Sequence, residues 1–116
     1  MMDGRGVFIY SDGKTRYEGE FSKDQKSGKG VETFENGDRY EGEFKADKRE
    51  GKGTFKFAES GCEYSGEWKA GLMHGKGKKY HPTKKITYYE GEWHKDMKHG
   101  KGIEQFENGD VYEGLF

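Results

Sequence analysis

The block Tyr-x-Gly-x-aromatic occurs five times in this 116-residue chain, at intervals of 23 to 25 residues. Its copies begin at Tyr17, Tyr40, Tyr64, Tyr89 and Tyr112. A second block, Gly-basic-Gly, recurs in phase with the first and begins at Gly4, Gly28, Gly51, Gly75 and Gly100. A fixed period of this length indicates a tandem array in which each unit packs mainly against its neighbours.

Each repeat has the features of a β-hairpin. In four repeats a turn ending in glycine separates the two blocks, and these glycines are Gly13, Gly37, Gly61 and Gly109. Asn-Gly and Asp-Gly pairs between short segments are strong hairpin signals, whereas each glycine inside a helix costs about 1 kcal/mol relative to alanine. We therefore predict an all-β fold: an elongated, single-layer antiparallel β-meander of about five tandem hairpins, forming one array over residues 1–116.

The turn of the second hairpin predicts a strand register. A three-residue loop that ends in a left-handed Gly37 would place Gly30 opposite Gly42 and Lys29 opposite Glu43. A slip of one residue would set the lysine against a phenylalanine and move a whole strand to the wrong face. Charge pairing therefore favours the first register.

Strand alternation assigns the two kinds of side chain to opposite faces of the sheet. Tyr40 and Phe44 share one face with the glycines, while Glu41, Glu43 and Lys29 share the other. Glycines leave room for rings from neighbouring strands to lie over the backbone. The opposite face is expected to carry a ladder of paired lysines and glutamates, contributing roughly 0.2–1 kcal/mol per pair.

The composition predicts a thin but folded structure. Leucine, isoleucine, valine and phenylalanine provide only 16 of 116 residues, which is too few for a thick core. Disorder is disfavoured, because the net charge is only −1 and aromatic residues reach 16%. The single cysteine, Cys62, cannot form an internal disulfide, and neither a long apolar run nor an apolar leader is evident. These features predict a cytoplasmic protein.

The order of the blocks resembles the MORN motif (membrane occupation and recognition nexus). After Tyr-x-Gly-x-(Phe/Trp), Gly-Lys-Gly begins at the seventh position, and an Asx-Gly turn then precedes the next tyrosine, over essentially all 116 residues. The fourth repeat departs most, because a lysine-rich loop containing Pro82 replaces the Asx-Gly turn. The resemblance implies an elongated antiparallel sheet that serves junctional, cytoskeletal, ciliary or cytokinetic scaffolds, or that accompanies an enzyme domain. It also implies binding to proteins, to itself or to acidic phospholipids, and no catalytic residues.

The rings of the Tyr-x-Gly-x-aromatic blocks form a predicted stripe along one face, here called the ring stripe. It comprises Tyr17, Phe21, Tyr40, Phe44, Tyr64, Trp68, Tyr89, Trp93, Tyr112 and Phe116. Either these rings pack on one another as the core, or part of the stripe is an exposed groove for a partner helix, an extended peptide or a second copy. The second interpretation follows because a lone sheet leaves its apolar face uncovered, and large exposed patches normally mark interaction sites. Trp68 and Trp93 are then the predicted anchors.

A basic segment covers the fourth repeat. From Lys69 to Lys101 the net charge is +6, and no acidic residue lies between Leu72 and Thr87. The predicted patch for acidic lipids comprises Lys76, Lys78, Lys79, Lys84 and Lys85. Each lysine near an anionic membrane contributes about 1 kcal/mol, and the alternative interpretation is a solvated charged loop. Nucleic acid is not an expected partner, because the chain is acidic overall and contains no nucleic-acid-binding module.

No residue pattern indicates catalysis, a cofactor or a metal. The Gly-Lys-Gly blocks lack the Ser or Thr and the helix that a phosphate-binding loop requires. Cys62 and the four histidines lack the spacings of a metal site. We therefore expect no enzyme activity, no cofactor and no metal site.

The sequence predicts a non-catalytic scaffold or adaptor that binds protein partners or itself, within a cytoskeletal, ciliary or membrane-junction assembly. The alternative is a membrane-targeting module that binds acidic phospholipids through the basic patch. A third hypothesis makes the array the regulatory region of a larger enzyme. The expected location is the cytoplasm, at the cytoskeleton, at a cilium or at the membrane periphery.

Overall fold

The computed structural model describes residues 3–83 and 88–116, which form one open sheet of ten antiparallel strands in sequence order. The strands are β1 (Gly4–Ile9), β2 (Arg16–Ser22), β3 (Gln25–Thr33), β4 (Arg39–Lys45), β5 (Lys48–Lys56), β6 (Glu63–Lys69), β7 (Leu72–Tyr80), β8 (Tyr88–His94), β9 (Met97–Gln105) and β10 (Val111–Leu115). The molecule measures 52 × 25 × 18 Å. The predicted all-β meander of five hairpins is confirmed. Over the described ranges, no helix is long and apolar enough to cross a membrane.

The predicted register of the second hairpin is also confirmed. Gly30 lies opposite Gly42 and Lys29 lies opposite Glu43. Gly37 closes the loop with a φ of 95°, a left-handed conformation that glycine adopts without steric cost. The loop type therefore fixes the pairing, as the sequence pattern predicts.

One glycine from every strand lies in a single row that crosses the whole sheet. Each member is the direct partner of the next, and the row is Gly6, Gly19, Gly30, Gly42, Gly53, Gly66, Gly77, Gly91, Gly102 and Gly114. We call it the glycine row. On one face of the sheet every member except Gly6 is in contact with a tyrosine side chain, and on the other face the backbone is bare.

The tyrosine rings explain why this row contains glycine. A Cβ added to Gly53 would lie 2.5 Å from the Cε1 and Cζ atoms of Tyr40 on the preceding strand. The hydroxyl of the same tyrosine donates a hydrogen bond of 2.9 Å to the carbonyl oxygen of Glu43, three residues along its own strand. Burial raises the pKa of Tyr40 well above its ordinary value. Each ring is therefore held flat against a neighbouring backbone that has no side chain.

The ring stripe forms a continuous edge-to-face ladder along the sheet. Neighbouring rings alternate within and between repeats, with ring centres 4.9 to 5.2 Å apart and planes crossing at 79° to 89°. Edge-to-face contacts at this distance are favourable because the positive ring edge meets the negative ring face. The stripe is thus the core of the protein.

A roof of long side chains closes the ladder from the solvent side, so one sheet buries its own apolar face. The roof side chains are Lys26, Arg49, Met73 and Lys98. The Arg49 guanidinium lies 5.5 Å from the ring centre of Tyr40 and 5.1 Å from that of Trp68. The Lys98 ammonium lies 5.4 Å from the ring centre of Tyr89. These cations bury their aliphatic stems on the rings while their heads remain polar.

Candidate functional site

The ring stripe is not the exposed surface that one interpretation of the sequence predicts. Eight of its ten members are at most 8% exposed, including both predicted anchors, Trp68 and Trp93. Each indole Nε1 donates to a backbone carbonyl oxygen, that of Gly53 at 3.1 Å or of Gly77 at 3.0 Å. The expectation of an uncovered apolar face is therefore wrong, because polar residues with long stems supply the missing layer. Partner binding by these rings stays a prediction, which burial restricts to the last repeat, where Tyr112 is 45% exposed.

The roof contains a buried ion pair that the sequence analysis does not predict. Lys26 and Glu32 are 2.9 Å apart with side chains only 13% and 7% exposed, and Lys98 pairs with Glu104 at the equivalent place in the fifth repeat. The hydroxyl of Tyr10 also donates to Glu32, at 3.0 Å. The sequence does contain a signal for this ion pair, because in both repeats a lysine before Gly-Lys-Gly is followed six residues later by a glutamate after it.

The opposite face of the sheet contains a long groove whose floor is the bare side of the glycine row. We call it the glycine groove. Three connected depressions of about 440 to 540 Å³ follow one another along it. Their walls are formed by the residues immediately before and after each glycine, such as Lys52 and Thr54 beside Gly53. The groove runs across the strands, along the long axis of the molecule.

A carboxylate beside the groove stabilises each of the four Gly-Lys-Gly blocks. The Glu43 carboxylate accepts a hydrogen bond of 2.6 Å from the backbone N–H of Lys52. Gly51, just before that lysine, has a φ of 89°, which turns the amide out of the ladder at a β-bulge. Equivalent bonds of 2.6 to 3.0 Å join Glu20 to Lys29, Glu67 to Lys76, and Glu92 to Lys101. The predicted register correctly sets Lys29 opposite a glutamate. The expected ladder of lysine–glutamate ion pairs is not formed by these carboxylates, because they accept hydrogen bonds from backbone amides and not from the ammonium groups of these lysines.

The amide-bound carboxylates leave a row of exposed cations along one wall of the groove. This cation row comprises Arg5, Lys29, Lys52, Lys76 and Lys101. Within the described ranges, none of the five takes part in an ion pair within 4.0 Å. Since they occupy every second strand, successive cations are about 10 Å apart. Carboxylates such as Glu43 and Glu67 line the same groove between these cations, so the row is suited to a partner whose acidic groups are spaced to meet the cations.

The structure separates the lysines of the predicted lipid patch. Lys76 and Lys78 line the glycine groove. The Lys79 ammonium lies on the ring face, 4.7 Å from the ring centre of Phe57. Lys84 and Lys85 lie outside the described residues. The three described lysines therefore do not form one continuous patch.

Three histidines from separate places in the sequence line up on the groove face near the two-residue turns. The ring centres of His74 and His94 are 5.1 Å apart, and those of His94 and His99 are 5.3 Å apart. The pKa of His94 is lowered, mainly by desolvation and to a smaller extent by the positive charges of these neighbours. Over residues 3–83 and 88–116, no group of three candidate ligands is placed to hold a metal ion.

Glu43→Ala is expected to lower the free energy of unfolding by about 1–2 kcal/mol, because the Lys52 amide at the bulge loses a charged acceptor. The matched control is Glu41→Ala on the same strand and face, whose carboxylate meets Arg39 at 4.0 Å on the surface. Exposed pairs of this kind contribute little, so the control is expected to change stability by less than about 0.5 kcal/mol. Equal effects in urea denaturation would contradict a special role for Glu43.

Comparison with known families gives one match across most of the chain. A family model described as MORN repeat matches residues 1–15, 17–39, 40–62, 64–84 and 89–111. Four of these five segments begin at the tyrosine of a Tyr-x-Gly-x-aromatic block. No curated protein matches the chain.

Proposed function

Because the chain belongs to the MORN-repeat family, we propose that it is a non-catalytic scaffold or adaptor that binds a segment of a partner protein in the glycine groove. Repeats of this family are in general non-enzymatic modules that bind proteins or membranes. The observation that carries the proposal is the cation row beside a floor without side chains. A partner backbone approaches such a floor without steric hindrance, and the cations select an acidic segment.

The geometry favours an α-helix as the bound segment. A chain lying along the groove crosses the strands, and the strand amides and carbonyls are already paired in the sheet. An extended segment would therefore leave its own backbone groups without partners, whereas a helix satisfies them internally. Seven residues of helix rise about 10.5 Å, which is close to the spacing of about 10 Å between cations of the row. Acidic residues at every seventh position would meet successive cations.

A designed peptide tests this proposal. The probe is a labelled helix of four heptads with glutamate at every seventh position, and the control peptide has the same composition in shuffled order. Fluorescence anisotropy is expected to show salt-dependent binding of the probe that the shuffled peptide does not match.

A matched pair of protein variants locates the site. Lys29→Ala, Lys52→Ala and Lys76→Ala combined are expected to weaken binding by about tenfold, from roughly 0.5 kcal/mol for each exposed ion pair. The control removes the same charge outside the groove walls through Lys14→Ala, Lys48→Ala and Lys56→Ala. Equal loss in both variants, or no binding of the probe, would refute the groove proposal.

A second candidate function is binding to acidic phospholipids. It is favoured by Lys76 and Lys78, which share the groove face with Lys101 in a segment of net positive charge. Vesicle co-sedimentation at physiological salt is the test. A preference for phosphoinositide vesicles over neutral ones, lost in Lys76→Ala with Lys78→Ala, supports lipid binding, and equal sedimentation excludes it.

The family resemblance extends the proposal to a larger setting. On that resemblance we place the scaffold in a cytoskeletal, ciliary or membrane-junction assembly, with imaging of the tagged protein against markers of each structure as the test. The hypothesis of a regulatory region within a larger enzyme has the same support and no further structural feature in its favour.

A further inference from the structure

Three of the four histidines of the chain lie together on the groove face. His74 is on β7, His94 ends β8 and His99 is on β9, so they occupy three consecutive strands of the sheet. The ring centre of His94 is 5.1 Å from that of His74 and 5.3 Å from that of His99. We call these three residues the histidine row. Only the folded sheet brings His74 next to the other two.

The fold does not require histidine at these positions. The residue immediately before Gly-Lys-Gly is histidine in two repeats, and the residue immediately after the Tyr-x-Gly-x-aromatic block is histidine in one. Other repeats have different residues there: Ser27 and Glu50 before Gly-Lys-Gly, and Ser22, Lys45 and Lys69 after the aromatic block. The strands pair in the same order through all of these repeats. Serine, glutamate and lysine are therefore compatible with the sheet at the places that the histidine row occupies.

Two lysines beside the histidine row add positive charge that does not depend on pH near neutrality. Lys69 ends β6, the neighbour of β7, and Lys95 follows His94 in the two-residue turn. Desolvation lowers the pKa of His94, and the charges of the two other histidines and of these two lysines lower it further. The ordinary pKa of histidine is about 6.5, so the His94 ring is mainly neutral at neutral pH and gains its charge in mild acid.

The carboxylates around the histidine row are directed at backbone amides. Each accepts a hydrogen bond of 2.6 to 3.3 Å from an N–H group: Glu50 from Ala70, Glu67 from Lys76, Glu92 from Lys101 and Asp96 from Met73. Within residues 3–83 and 88–116, no ion pair within 4.0 Å joins a carboxylate to the histidine row, Lys69 or Lys95. Lys76 and Lys101, further along β7 and β9 on the same face, add to the positive charge. The cluster thus has no direct counter-ion.

We propose that the histidine row, together with Lys69 and Lys95, forms a proton-gated binding site for a phosphate group. A protonated imidazole donates from both ring nitrogens, and a phosphate group offers three strong acceptor oxygens. A phosphate placed over His94 is close to both flanking rings, whose centres are 5.1 and 5.3 Å from the central one. The resulting hydrogen bonds have charge on both partners, which makes them stronger than neutral ones.

The dependence on pH follows from the charge of the rings. When the rings are neutral, only the lysines attract an anion. As the pH falls through about 6, the three rings become charged, whereas a phosphate monoester with a second pKa of about 6 keeps at least one negative charge. Bound phosphate favours the charged rings, so by linkage it raises the pKa of His94 and binds more tightly as the pH falls. The site shares no residue with the cation row or the predicted lipid patch, and it goes beyond peptide binding in the groove.

NMR of the histidine rings in the whole chain tests the proposal, with inorganic phosphate as the probe. The pKa of His94 is expected to rise by about 0.5 when phosphate replaces chloride at equal ionic strength. If all three rings respond in this way, phosphate binds at least about tenfold more tightly at pH 6 than at pH 8. His81→Gln, outside the histidine row, is the control and is expected to bind as the wild type does.

The repeats themselves supply substitutions that the sheet accommodates. His74→Ser combined with His99→Ser reproduces Ser27 and is expected to abolish the phosphate-dependent rise in the pKa of His94. His94→Lys reproduces Lys45 and keeps the central charge at every pH, so it is expected to strengthen phosphate binding at pH 8, where the wild type binds weakly. Far-UV circular dichroism confirms that each variant is folded.

Three results would overturn the proposal: phosphate shifts no larger than those of chloride, equal binding at pH 6 and pH 8, or unchanged binding in the double serine variant. Two further probes at pH 6 identify the source of the phosphate group. These are glycerol phosphate in solution, and vesicles of phosphatidic acid mixed with a neutral lipid. Binding that the double serine variant loses supports the site in either case, and it assigns the ligand to a soluble ester or to a membrane headgroup respectively.

Discussion

Gly53→Ala is expected to destabilise the protein by about 3 kcal/mol, near the upper end of the usual cost of overpacking a core. The added methyl group would lie 2.5 Å from two ring carbons of Tyr40. That ring cannot move away easily, because Phe44 and Trp68 contact it edge-to-face and its hydroxyl is bonded to the Glu43 carbonyl. The clash therefore spreads to two neighbouring repeats.

The control for this substitution is Gly6→Ala. Gly6 holds the same place in its Gly-basic-Gly block, but its added methyl group meets only Phe21 at an ordinary contact distance of 3.5 Å. We expect a change within about 0.5 kcal/mol, because a compatible alanine also reduces the entropy of the unfolded chain. Guanidinium denaturation measures both variants, and a mild effect at Gly53 equal to that at Gly6 would contradict the close fit of the tyrosine.

Tyr64→Ala is expected to cost about 3–5 kcal/mol, as is usual for removing a large buried ring. Tyr64 is fully buried in the middle of the ladder, between Trp68 at 5.2 Å and Trp93 at 5.1 Å. Removing it breaks two edge-to-face contacts and exposes the rings on both sides. Tyr64→Phe keeps the ring and loses only the hydrogen bond to the Glu67 carbonyl, so its expected cost is about 1 kcal/mol.

Tyr112→Ala is the matched control for the ring itself. The side chain opens the same block and contacts Phe116 in the same geometry, yet it is 45% exposed and covers no glycine of a following strand. We expect a cost below about 1.5 kcal/mol in thermal or chemical denaturation at low protein concentration. A cost at Tyr64 no larger than that at Tyr112 would contradict the ladder as the main source of stability.

The repeat pattern was sufficient to predict the hairpins and the register of the second one, because both depend on local chemistry. Gly37 fixes the loop, and the loop fixes which residues of β3 and β4 face each other. The alternation of glycine and ring residues then assigns the faces. Each of these inferences uses contacts between near neighbours in sequence, where few conformations compete.

The burial of the ring stripe was one of two interpretations of the sequence, and the repeat pattern did not decide between them. It depends on Lys26 and Arg49, residue types that normally point to solvent, and on a roof formed across strands. The role of Glu43 was hidden for a similar reason. Its partner is an amide released by the left-handed Gly51 at a bulge, and strict alternation along the strands contains no bulge. The glycine groove was not predicted. The sequence gives the positions of the glycines, but it does not show that their side-chain-free face forms a groove.

The glycine row has a consequence for how such a protein changes in evolution. Every internal junction joins the same two partners, a ring and a bare backbone, so duplication or loss of one whole unit leaves both flanking units correctly matched. Each unit adds two strands, or about 10 Å, to the molecule. Length is therefore inherited in fixed steps, and the span of such a sheet changes without redesign of any contact.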